Sequence, residues 1–491
     1  MATCPAAGRE GVRHFARAPA ARFVRRSGAP EEVDQGDPVL ASLRLMFLSP
    51  RTVLALLVVL GCGGCSVARP SPAPVPPVTS TGPSRHILPN GIPVIVQEHR
   101  TSDVVALQLW VRAGGRDEAA AELGLAHYLE HMLFKGTATR PPGYVERDVE
   151  GVGGRINAGT SWDYTFYHTL LPARQAAAGI EMLADVAVNA SLDANLLEAE
   201  KQVVLEEMRL NEDNPQRFLG RQLFAAAYEG HPYGRPVIGR PDLIAALSRD
   251  TLLAFYRRHY TPEMFSLVVV GAVSTDEMLR VARNTLGRLP RGGASRLPPP
   301  PPAALRPVRL ELARPIAQAH LGLAWQAPKL DHAETPALDL LMSILGRRSK
   351  GSRLAASLRE RQGIVSAITG DLSAMEGGGL ASVTAQLPAE NLARAEGEIL
   401  AELRRVRDEG VTATELRRAI TAAEVEHEFQ RETAEGRARA YGQAETVWRL
   451  DEEMIYIGRI RSVTAAQVQA AARRYLDLER YVRVALVPSR P

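Results

Sequence analysis

From about residue 85 onward, short apolar runs alternate with long amphipathic stretches. Ile92 to Val96, Val104 to Val111 and Ala319 to Trp325 read as extended strands. Two more runs, Phe265 to Val269 and Tyr481 to Val487, each follow a helical segment and close one half of the chain. Between them lie long helices rich in Ala, Leu, Glu and Arg. The clearest spans Asp193 to Asn214, opening on a capping Asp and stopping before Pro215. Leu196 and Val203 lie on one side of its apolar stripe, and Leu197, Val204 and Met208 on the other. Glu200 and Glu207 sit in the middle of that stripe, whereas Glu198, Lys201, Glu206 and Arg209 point elsewhere as solvated charges.

A proline-rich segment, Leu297 to Pro307, divides this body into halves of similar size, which suggests an internal duplication. Strands grouped at hairpin spacing and followed by helices predict an α+β fold, not a doubly wound parallel sheet. The expected organisation is a first lobe over 85–296, the linker over 297–307 and a second lobe over 308–491. The glycine run Gly377 to Gly379 reads as a loop.

Composition changes this picture mainly at the front. Hydrophobic residues make up 45% and charged residues 23%, an ordinary globular balance. The net charge is +4, but residues 1–61 hold eight Arg against five acids, so the body is nearly neutral and implies no nucleic-acid partner. Cysteines occur only at 4, 62 and 65, which leaves the body without a disulfide framework or a cysteine metal site. Thr52 to Leu60 is an uncharged run too short to span a bilayer. Arg51 precedes it and Gly61-Cys62 follows, as in a secretory signal. Val59-Leu60-Gly61-Cys62 resembles the bacterial lipobox, which implies lipidation at Cys62 and anchoring in the cell envelope, facing the periplasm or the exterior. Residues 46–61 are then the signal, 62–84 a Pro/Ser-rich tether, and 1–45 an upstream segment, untranslated or unstructured.

The chemistry centres on Gly124 to Thr137 (GLAHYLEHMLFKGT). On a helix, residues i, i+3 and i+4 share a face, so His127, Glu130 and His131 point the same way. Two imidazoles suit a divalent metal, and a carboxylate beside them suits proton transfer from water. The pattern also fits two helix histidines next to an ordinary acid. The two carboxylates on the stripe of the 193–214 helix weigh against that, because buried carboxylates are costly unless paired or metal-bound. The same argument favours Glu207 over its neighbour Glu206.

GLAHYLEHMLFKGT with Glu207 resembles the inverzincin metallopeptidases: insulinase, pitrilysin and the mitochondrial processing peptidases. LPNGIPVIV (88–96), INAGTSWDYTFYH (156–168), EAEKQVVLEEM (198–208) and HPYGRPVIG (231–239) resemble that family in the same order. The resemblance implies two homologous α+β lobes, clamshell-like, around extended peptide substrates. It implies one Zn²⁺ per chain on His127, His131 and Glu207, with Glu130 activating water and Glu200 supporting a histidine. It places Asn157 and Ala158 on a strand that pairs with substrate. Phe134 fits either the pocket beside the cleaved bond or the core.

Gly351 to Ile368 is similar to the family segment bearing a substrate-contacting Arg and, seven residues on, a Tyr. Arg359 matches the Arg, but Ser366 stands at the Tyr position. Two readings follow: a zinc endopeptidase, or a peptide-binding or assembly subunit that depends on a second chain. Short members work as pairs, so a homodimer is expected, or a heterodimer with a homologous chain carrying the Arg-Tyr pair.

Overall fold

The computed structural model describes residues 82–347 and 351–489. The upstream segment, the signal, Cys62 and nearly all of the tether lie outside the described residues.

In the first lobe the strands are β1 (Ser84–Ile87), β2 (Pro93–Glu98), β3 (Val104–Val111), β4 (Arg155–Thr160), β5 (Thr165–Pro172) and β6 (Phe265–Gly271). Its helices are α1 (Leu125–Leu133), α2 (Tyr144–Gly151), α3 (Ala176–Val188), α4 (Ala194–Asp213), α5 (Pro215–Ala227), α6 (Pro241–Ala246), α7 (Arg249–His259) and α8 (Thr275–Asn284). The second lobe holds β7 (Val308–Arg314), β8 (Ala319–Ala327), β9 (Ala367–Ala374), β10 (Gly379–Leu387) and β11 (Val482–Pro488). With them go α9 (Thr335–Gly346), α10 (Leu392–Glu409), α11 (Ala413–Gln430), α12 (Ala434–Val447), α13 (Leu450–Ser462) and α14 (Ala465–Tyr475). The first lobe does not close on its strand as the pattern suggested, since α8 follows β6.

The first sheet has the order β1-β2-β6-β3-β5-β4 and the second β7-β11-β8-β10-β9. With β1 set aside, the two orders are the same. Each sheet has one parallel pair, β2 with β6 and β7 with β11, in an otherwise antiparallel ladder. The duplication hinted at by the two similar halves is thus explicit in topology. β3 and β6 are apolar but for the buried Gln108 and Ser266, because they lie at the sheet centre with both faces covered.

Each sheet is covered on one face by a helix from the other lobe. α5 lays Phe218, Leu219 and Leu223 against Ala324, Val482, Val484 and Leu486 of the second sheet. Reciprocally, α12 lays Ala434, Ala438 and Tyr441 against Ile95, Ala106, Trp110, Val268 and Val270 of the first. The proline-rich segment is itself docked: Pro300 O lies 2.8 Å from His231 Nε2. At the junction, Arg296 pairs with Asp117 (2.9 Å) and with Glu376 (3.0 Å), and Arg116 also reaches Glu376. The glycine run is partly the turn into β10, where Gly377 N–H donates to Tyr233 Oη (2.9 Å).

The α12 contact depends on a missing side chain. A Cβ on Gly442 would stand 1.9 Å from Trp110 Nε1. Gly442→Val is therefore expected to lift α12 from the first sheet. The cost is about 1–3 kcal/mol, as for other overpacked cores. Differential scanning calorimetry checks this: a lowered, broadened or split transition is expected, and an unchanged one contradicts the contact.

Candidate metal centre

α1 starts at Gly124, whose φ of +99° suits glycine alone and whose Cβ would meet Gly239 Cα at 2.8 Å. No side chain at Gly124 caps the helix. Instead the buried Glu118 carboxylate accepts the N–H groups of Gly124 (2.9 Å) and Ala126 (2.8 Å). Burial pushes the Glu118 pKa up to about 8, against the pull of those two N–H bonds. α4 starts at Asp193, which accepts from Asn195 and Leu196 N–H. Tyr128 Oη donates to Leu197 O, clamping α1 onto α4.

With the helices so fixed, Glu207 Oε2 lies 3.5 Å from His127 Nε2 and 3.6 Å from His131 Nε2. Among the described residues, this is the one group of three ligating side chains whose donor atoms converge, all within 4.8 Å. These separations are too long for good hydrogen bonds. They are close to the edge of about 3.4 Å expected for a tetrahedron with metal–nitrogen bonds of about 2.05 Å. Burial, with His131 beside it, pushes the His127 pKa down to about 4, so its ring is neutral at neutral pH. His131 Nδ1 sits 2.9 Å from Glu200 Oε1, which leaves Nε2 facing Glu207. The donor set therefore fits a divalent zinc ion.

Around this trio, Glu200 is held on its other side by Lys135 Nζ at 2.9 Å. Thr160, at the end of β4, donates its hydroxyl to Glu130 Oε2 (2.6 Å). Burial raises the Glu130 pKa, and the Thr160 bond only partly offsets it. β4 is the outer strand of its sheet, so among the described residues its far edge has no strand partner. Asn157 and Ala158 lie on it, and Asn157 Oδ1 accepts the Ala158 N–H at 2.8 Å. Phe134 packs edge-on against Tyr167 on the core side. Arg359 pairs with Glu360, and Ser366 Oγ donates to Gln318 Oε1 and Gln386 O. Among the described residues, no hydrogen bond or ion pair joins Arg359 or Ser366 to the His127 cluster.

Two side chains of α4 depart from the helical-wheel expectation. Val203 is 51% exposed and Lys201 only 6% exposed. Lys201 is accommodated by Glu198 and by Ala245 O, a backbone partner contributed by α6. Glu206 lies on the solvent side, paired with Arg209. Glu118, Lys135 and Thr160 escaped the sequence reading, because each acts through a tertiary contact and none falls at a diagnostic spacing. In the second lobe α9 stands where α1 stands in the first, between the counterparts of β3 and β4. Its sequence, TPALDLLMSILG, has neither His nor Glu.

Glu200→Gln is expected to keep the fold and lower zinc affinity about 10–100-fold, the usual effect of removing the partner that orients a ligating histidine. Competition with a chromophoric chelator measures it. Unchanged affinity would remove Glu200 from the site.

Residues 94–241 match the family model described as insulinase (peptidase family M16), and residues 246–423 match the peptidase M16 inactive domain. An uncharacterized zinc protease of Mycobacterium bovis is 30% identical over 432 residues, covering 85% of this chain and 96% of the relative. One from Bacillus subtilis, YmxG, is 29% identical over 333 residues, covering 68% and 80%. The fold is similar to that of a protease from Helicobacter pylori, with TM-score 0.78, 22% identity and 83% and 100% of the chains covered. It is also similar to the periplasmic protease PqqL of Escherichia coli, with TM-score 0.69 and 22% identity. That match spans 84% of this chain and 48% of PqqL.

Proposed function

Because the chain belongs to the insulinase family of peptidases (M16), we propose that it is a zinc-dependent endopeptidase acting on extended or unfolded peptides. His127, His131 and Glu207 would hold one Zn²⁺ per chain. The observation that carries this reading is the convergence of two imidazole nitrogens and one carboxylate oxygen at separations suited to a shared metal and too long for good hydrogen bonds. Zinc in such a site polarises a carbonyl and lowers the pKa of water.

The chain's own groups do the rest. Thr160 occupies Glu130 Oε2, so Oε1 is the oxygen left to take a proton from the attacking water and hand it to the leaving amine. Glu200 fixes the ring of His131. The open edge of β4 offers backbone groups to a peptide laid alongside as an added strand, a mode tolerant of sequence. For that, the Asn157 side chain must release the Ala158 N–H.

A peptide-hydrolysis assay on the isolated chain, with zinc present or removed by chelation, tests this. Zinc-dependent cleavage is expected, and its absence refutes the reading. One observation favours the alternative of a subunit that needs a partner: Ser366 is engaged on its own sheet and has no phenol to offer a developing oxyanion. On that reading a homologous chain with Arg and Tyr at the positions of Arg359 and Ser366 completes the site in a heterodimer. Mixing the two chains would then raise kcat. We place the enzyme at the cell envelope through a lipidated Cys62, which mass spectrometry of the mature N-terminus tests.

A further inference from the structure

α5 covers only part of the second sheet's face. It rests on β8 at Gly322, where a Cβ would meet Leu223 at 2.8 Å and Leu219 at 3.2 Å. The rows beyond it are polar. His320 of β8 faces Gln386 of β10, and Thr384 of β10 faces Thr369 of β9. Residues directly opposite share a face, and alternate residues along a strand do so too. These side chains, with Arg359 and Gln216, line a cavity of about 400 Å³.

The lining has one cation and several neutral donors, and neither Asp nor Glu is among the residues that form it. His320 is only 5% exposed and, among the described residues, has no hydrogen-bond partner. Burial alone shifts its pKa, downward, so it is a neutral imidazole with one N–H to give. As a lining residue, His320 can offer that N–H to a group bound in the cavity. Arg359 holds Glu360 through Nε and Nη2, and Glu360 lies outside the lining.

We propose that this cavity is a subsite for a carboxylate of the bound peptide, held by His320, Arg359 and Thr384. The inference rests on the peptidase reading above and narrows its substrate class to peptides bearing a carboxylate near the cleaved bond. Gln216 follows Glu207 by nine residues, helical as far as Asp213. The two are therefore no more than about 20 Å apart. An extended peptide crosses that distance in about six residues. The carboxylate belongs either to an acidic side chain within that span or to the peptide's C-terminus.

The test uses the zinc-loaded full chain carrying Glu130→Gln, which binds peptides without consuming them. A fluorescent dodecapeptide is scanned with single Glu→Gln changes and, in a second arm, capped as a C-terminal amide. One position, or the terminus, should weaken Kd by about 10–100-fold when neutralised, the scale of a charged hydrogen bond lost from a buried site. That discrimination should collapse below about threefold in His320→Ala. Arg359→Gln, at a partly exposed position, serves where His320→Ala fails to fold. Equal Kd at every position and terminus, or discrimination that survives in both variants, overturns the subsite. Wild-type cleavage of acidic and neutral peptides with equal kcat/KM overturns it too, while leaving the peptidase reading intact. If wild type cleaves no peptide, the peptidase reading falls and the subsite with it.

Discussion

Glu207→Gln is expected to strip the metal from this protein, while Glu206→Gln leaves it bound. The two glutamates are adjacent in sequence yet occupy different surroundings. Glu207 Oε2 is within 3.6 Å of both histidine Nε2 atoms, and Glu206 faces solvent on Arg209. A catalytic zinc has three protein ligands, and an amide oxygen replaces a carboxylate poorly. The loss in affinity should exceed the roughly 10–100-fold typical of outer partners such as Glu200. Metal content after dialysis against a chelator, read by mass spectrometry, separates the two variants. Equal zinc in both would overturn the ligand assignment.

Glu130→Gln should retain both zinc and fold yet lose about 10²–10⁴-fold in kcat, the usual worth of a positioned proton acceptor. The amide oxygen can still accept the Thr160 hydroxyl, so the β4 end need not move. Thermal unfolding and metal content serve as controls. A variant that binds zinc and keeps more than a tenth of its turnover would mean that another group takes the proton.

Much of this centre is legible in the chain because helical geometry is local. The spacing of His127, Glu130 and His131 fixes one face of α1 without knowledge of the rest, and the stripe of α4 singles out Glu200 and Glu207. What escapes depends on groups that meet only in the fold. Lys201 carries a charge, and nothing in its neighbours announces that Ala245 O would receive it. Val203 looks like core on a helical wheel but is exposed, because among the described residues no element covers it. Thr160 and Glu118 lie outside α1, one on an edge strand and one in a loop, so their effect on it is invisible to periodicity. Of the strands, β2, β3, β6, β8 and β11 are readable as apolar runs, whereas β1, β4, β5, β7, β9 and β10 are not, and neither is the match of the two sheet orders. Pairing order is a non-local property, and a pattern of runs says only that strands exist.

The exchange of α5 and α12 bears on how the molecule is made. As the chain is produced from its N-terminus, Ile95, Ala106, Trp110 and Val268 gather into a sheet long before their cover, Ala434 to Tyr441, has been synthesised. In that interval an apolar sheet face is open to solvent, to chaperones and to its own kind. The second sheet meets no such delay, because α5 precedes it. Assembly is therefore ordered: the first half waits in an incomplete state and the second half closes it. Severing the chain within 297–307 would give an N-terminal piece prone to self-association, soluble in quantity only when the C-terminal piece is co-produced.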